Sequence, residues 1–189
     1  MRTSTLPLVI VCVLAAPVHA QSFWLGGDLG GGSVDLGAAS PVGARTFMAV
    51  NLAAGVALVP GVDLGVRVGG WNLQASDQSP NGDPTRGQTL TTLSLMARLG
   101  PREPSRWYVQ AGWGALKLAS NQTAGQQGSG TGGFVGAGYD FDLGRQVQLG
   151  PYVEYYAGSM DVYGGSLPSV TASVRCATAS VAVRYRFPE

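Results

Sequence analysis

Apolar residues alternate with small or polar ones through eight segments of the chain, at residues 23–31, 47–58, 62–73, 89–99, 106–118, 133–143, 147–157 and 174–187. In the second segment Met48, Val50, Leu52, Ala54, Val56 and Leu58 fall on one face. In the fourth, Leu93, Leu95, Ala97 and Leu99 oppose Thr92, Ser94, Met96 and Arg98. A period of two marks β-strands. Segments of ~9–11 residues match a tilted strand that crosses a bilayer. The connections alternate in length. Pro60-Gly61, residues 100–105 and residues 144–146 are short; the stretch after the first segment and residues 76–88, 119–131 and 158–172 are long. An even number of strands puts both chain ends and every short turn on one side. The pattern predicts an all-β fold, an eight-stranded antiparallel up-and-down transmembrane β-barrel with short periplasmic turns and long outer loops.

Alternation alone also fits a secreted soluble barrel of the lipocalin type, whose apolar face points inward. The less apolar face decides between them. A soluble surface carries roughly 25–35% charged residues of both signs. Here that face is mostly Gly, Ala, Ser, Thr and aromatics, which suit a narrow interior. The aliphatic face carries no charge mid-strand, as contact with acyl chains requires. Its aromatics gather near strand ends, with Phe23, Trp107, Tyr185 and Phe187 toward the short turns and Trp113 and Tyr155 toward the loops, like interfacial girdles. The membrane barrel is the expected solution.

The first 20 residues read as a secretory signal: Arg2, an apolar stretch over residues 6–16, and the small-residue site Val18-His19-Ala20. About 11 apolar residues are too few to span a bilayer, which needs ~20. The expected mature domain runs over residues 21–189, and no apolar run within it is long enough for a spanning helix. The whole chain has 12 basic and 11 acidic residues; Arg2 in the leader is the surplus, so the mature domain is formally neutral. No basic run invites nucleic acid. Cys176 is the lone cysteine after the leader, which rules out an intrachain disulfide and reads as a small packing residue.

The later segments carry more specific sequences. Gly136-Ala137-Gly138-Tyr139-Asp140-Phe141 and Val153-Glu154-Tyr155-Tyr156 resemble consecutive strands of the small outer-membrane barrels of the OmpA/OmpX and opacity-protein type. Ser180-Val181-Ala182-Val183-Arg184-Tyr185-Arg186-Phe187 is similar to their C-terminal assembly signal, with Tyr185 and Phe187 as its alternating aromatics. Ala182 stands where those barrels often have Gly, and Pro188-Glu189 follow the terminal Phe. The resemblance implies an outer-membrane location, contact with outer-membrane lipid and lipopolysaccharide, insertion by the barrel-assembly machinery, and a monomer.

Candidate chemistry is sparse. His19, in the leader, is the one histidine, so histidine-dependent catalysis is not expected; the small barrels that acylate or deacylate lipid A require one. No cofactor or metal is expected. Asp28, Arg67, Gln110, Asp140, Glu154 and Arg184 all project inward at broadly similar heights. Buried charges are costly unless paired, and an eight-stranded barrel is just wide enough for side chains. These six are therefore expected to neutralise one another as a polar plug rather than line an ion path. Two functions follow. One is a structural or surface-interaction role through polar outer loops. The other is a narrow conduit or binder for small apolar molecules, similar to OmpW-type barrels, using Phe47, Trp71, Phe134, Tyr152 and Tyr156.

Overall fold

The computed structural model describes residues 22–37, 45–73, 88–100, 106–120, 127–164 and 167–187. The expected leader and Pro188-Glu189 lie outside the described residues, as does the Phe47 side chain. Among the described residues nine strands form: β1 (Phe23–Asp35), β2 (Arg45–Val59), β3 (Val62–Leu73), β4 (Gln88–Leu99), β5 (Trp107–Ser120), β6 (Gln127–Tyr139), β7 (Phe141–Asp142), β8 (Val147–Gly164) and β9 (Leu167–Arg186). Short β7 continues the line of β6 past Asp140 and pairs with the foot of β8. From β1 to β6 each strand pairs antiparallel with the next, β6 pairs with β8, β8 with β9 and β9 with β1, all antiparallel. Those pairings close an eight-stranded barrel and leave no open edge among the described residues, which is what a bilayer demands of strands.

The faces sort as the alternation predicts. Leu52, Leu95, Trp113, Val153 and Val181 stand out on the exterior, while Asn51, Ser94, Arg67 and Glu154 are buried in the lumen. This is the arrangement of a barrel in lipid, and it overturns the soluble alternative, which needs the aliphatic residues inside. The Pro60-Gly61 turn joins β2 to β3 with Gly61 at φ 88°. A turn with Pro first and a left-handed second residue favours glycine there. In the lumen, Gly136 and Gly138 lie against the rings of Tyr152 and Tyr108 and leave no room for a Cβ. Rings inside so narrow a barrel need that space.

Several strands run past their expected ends. Residues 127–131 are strand rather than loop, and most of residues 158–172 forms the upper arms of β8 and β9, 18 and 20 residues long. The reason is visible in the side chains. Above Tyr155 the alternation continues with its polarity reversed: Ser159, Asp161, Thr171 and Ser173 face out and are exposed, whereas Met160, Val162 and Ala172 are buried. Thr131, Ser159 and Ser173 sit level across β6, β8 and β9. Gly128 and Gly130 oppose Val162 and Met160 and leave them space, so this glycine-rich run is ladder, not loop.

Candidate functional site

The lower lumen, toward the short turns, holds three buried arginines. Each is gripped by carboxylate on one side and an aromatic ring on another. Arg67 donates to Glu154 and, at 3.2 Å, to Asp28, with Phe134 4.5 Å from its guanidinium carbon. Arg98 donates to Asp140 and lies 3.4 Å from the Tyr108 ring centre. Arg184 donates to Asp63 at 2.6 Å beneath Trp24, 4.8 Å away. Asn51 donates to the other oxygen of Asp28 at 2.7 Å, and the Tyr152 hydroxyl donates to Glu154 at 2.5 Å. A guanidinium presents five donors in a flat fork, which suits it both to carboxylates and to ring faces. Removing one partner of such a pair strands a charge at low dielectric, a loss of roughly 3–5 kcal/mol.

Of the six residues singled out from sequence, Asp28, Arg67 and Glu154 meet in one trio. Asp140 and Arg184 do not join it; they pair with Arg98 and Asp63. Gln110 lines a cavity of about 40 Å³ together with Asp28, Arg67, Arg98, Asp140 and Arg184. It is roomy enough for water, since a cavity needs only ~10–15 Å³ of this kind to hold one molecule. Arg98 and Asp63 were absent from the sequence-derived set although both lie on the inward face. Each is one residue from a strand end, a position that reads as wetted rim. The stagger of a closed barrel carries them under neighbouring strands, where they are buried. Asn51 and Tyr152 complete the network, and inward parity was the signal that could have found them.

The upper lumen is different. Trp71, Leu73, Leu90, Leu116, Leu118, Met160, Val174 and Cys176 are buried and pack together. The rings of Trp71 and Tyr156 meet edge to face at 5.1 Å. Of the aromatics considered for an apolar conduit, Trp71, Phe134 and Tyr156 belong to the packed cluster, and Tyr152 sits in the polar network below. Tyr185 and Phe187 face outward at the foot of the seam between β1 and β9. Their rings are 4.9 Å apart, the Phe187 N–H donates to the Phe23 carbonyl at 2.9 Å, and the Tyr185 hydroxyl donates to Gln146 at 2.8 Å.

No protein-family model matches the chain, and no curated protein matches it. Solved structures do. Neisserial surface protein A is similar with a TM-score of 0.61 at 15% identity, covering 89% of this chain and 100% of that one. The outer membrane protein OprG from Pseudomonas aeruginosa is similar with a TM-score of 0.52 at 11% identity, covering 90% and 97%. At such identities the likeness is one of fold. With the apolar exterior, it gives this chain the fold of the small eight-stranded outer-membrane β-barrels.

Proposed function

We propose that the protein is a monomeric, non-catalytic barrel that serves the cell envelope as a surface-interaction or structural element, through the part standing outside the membrane. The observation that carries this reading is the upward continuation of β6, β8 and β9 with a polar outer face over a packed apolar interior. A continuous hydrogen-bonded wall is stiffer than a loop and presents Ser159, Asp161, Tyr163 and Thr171 in fixed order. Preorganised surfaces bind with less ordering cost. The fill of both halves of the lumen supports a closed plug rather than a conduit. In the same reading, residues 1–20 direct export, Tyr185 and Phe187 are read by the barrel-assembly machinery, and the outer wall meets lipopolysaccharide.

The test uses single cysteines on intact cells, since Cys176 is buried. Ser159→Cys and Thr171→Cys are expected to react with a membrane-impermeant maleimide, and Val153→Cys to stay protected. Removing residues 160–172 is expected to leave a barrel that still migrates anomalously without heating, while adhesion or envelope integrity falls. Unchanged phenotypes with an intact barrel would overturn the surface role.

A further inference from the structure

Three buried nitrogens of the lower lumen find no acceptor within the protein. They are the indole Nε1 of Trp24 and the Nε and Nη1 of Arg184. Both residues are 4% exposed, and both line the cavity of about 40 Å³. Arg184 engages Asp63 through Nη2 alone. Its guanidinium carbon lies 4.8 Å from the centre of the Trp24 ring, so one small ion at their shared edge can touch both groups. The backbone makes the room. Gly26 faces Arg184 across the ladder between β1 and β9. With Ala53 and Ala182 it lines the cavity and leaves space that larger side chains would fill. Buried donors left without an acceptor are costly, and native interiors satisfy them. This site therefore calls for an acceptor from outside the chain.

We infer that the free donors of Arg184 and Trp24 form a binding site for one monovalent inorganic anion of halide size, such as chloride. The two side chains offer hydrogens here and no lone pair. A water molecule would accept two of these hydrogens and then have two of its own to place; a halide accepts them all and has none. The charge around the cavity agrees. Arg67, Arg98 and Arg184 line it against Asp28 and Asp140, while Glu154 and Asp63 hold their arginines from outside its lining. At the mouth below, Arg186 is exposed and stands in register with Trp24, on the inward parity. Among the described residues it has no carboxylate partner. An unpaired guanidinium there draws anions toward the lumen from the short-turn side. The packed upper half shuts the other end, and the small volume excludes organic anions. The site does not depend on the surface role proposed above.

Crystals of the folded barrel grown in sodium bromide, measured at the bromine absorption edge, test the site. One anomalous peak is expected within hydrogen-bond distance of both Arg184 and Trp24. Ordered water without anomalous signal at that position overturns the site. In solution, the urea midpoint of the wild type is expected to rise as bromide replaces gluconate at constant ionic strength, since a ligand of the folded state alone stabilises it. Trp24→Phe keeps a ring against Arg184 and removes one donor; the apparent bromide dissociation constant is expected to increase roughly tenfold. Ala53→Val fills the cavity and is expected to abolish the bromide dependence. Gel mobility before and after heating reports the folding of each variant. A wild-type midpoint indifferent to the anion, or the same bromide dependence in wild type and folded Ala53→Val, overturns the site. Where a variant does not fold, the wild-type crystal decides alone.

Discussion

Below the level of Asn51 the lumen is filled by Arg67, Arg98 and Arg184 interlocked with Asp28, Asp63, Asp140 and Glu154; above it, by Trp71, Leu73, Leu90, Leu116, Leu118 and Met160. The two halves share one ladder of backbone hydrogen bonds and differ in what surrounds them. Around the lower half the outside is lipid, as apolar as a leucine side chain, so moving an aliphatic residue from wall to lumen gains little. Polar side chains have nowhere else to go, and once enclosed they must pair. Around the upper half the outside is water. There an apolar interior is stabilised by the ordinary hydrophobic effect, and the outward positions turn to Ser, Thr and Asp. The same chain thus obeys membrane rules and soluble rules in succession, and the reversal follows the solvent.

The comparison can be broken hardest from below. Arg67→Met leaves Asp28 and Glu154 facing each other without their shared cation. A loss of about 3–5 kcal/mol is expected, read as a lower midpoint in urea unfolding of the reconstituted barrel. Replacing Arg67, Asp28 and Glu154 together by apolar residues of similar volume should recover much of that loss, because no charge is then stranded. Above the divide, Leu90→Ala opens a cavity in a packed core, and roughly 2–5 kcal/mol is expected from the same unfolding measurement. A comparable loss for polar-for-apolar swaps in both halves would remove the distinction drawn here.

Charge scanning along the outside of β8 sharpens the boundary. Val153→Arg puts a cation against acyl chains and is expected to cost about 2–4 kcal/mol. Ser159→Arg, six residues up the same face, is expected to cost less than about 1 kcal/mol, since it stays in water. Equal costs in folding titrations into vesicles would place both residues in one solvent. The smallest effect belongs to the rim pair Arg106–Asp142, both sides roughly half exposed. Asp142→Asn should change stability by less than about 1 kcal/mol, and added salt should abolish even that difference.

How much of this was legible in the sequence differs between the halves for the same reason. Within the bilayer the outside is uniformly apolar, so the parity of Leu93 against Thr92, or Val153 against Glu154, reads directly as out against in. Higher up, Ser159 and Met160 keep the period but exchange roles, and the glycines opposite Met160 and Val162 weaken the alternation to the eye. The run therefore reads as loop. The charged lumen was legible as a face but not as pairs. Asp63 and Arg184 are 121 residues apart, and only closure between β1 and β9, with its stagger, decides that they meet. Arg98 shows the cost of treating a strand end as open to solvent.

On the wall of β8, Tyr155 and Ser159 are separated by Ala157 alone on the outward face. So abrupt a change sets the immersion depth of the molecule. In a thicker bilayer it cannot sink to suit, because Ser159, Thr131 and Ser173 would be dragged level into hydrocarbon on three neighbouring strands at once. The lipid must thin around that sector instead, at a modest energy per ångström of mismatch, and the barrel should gather in membranes whose thickness already fits it.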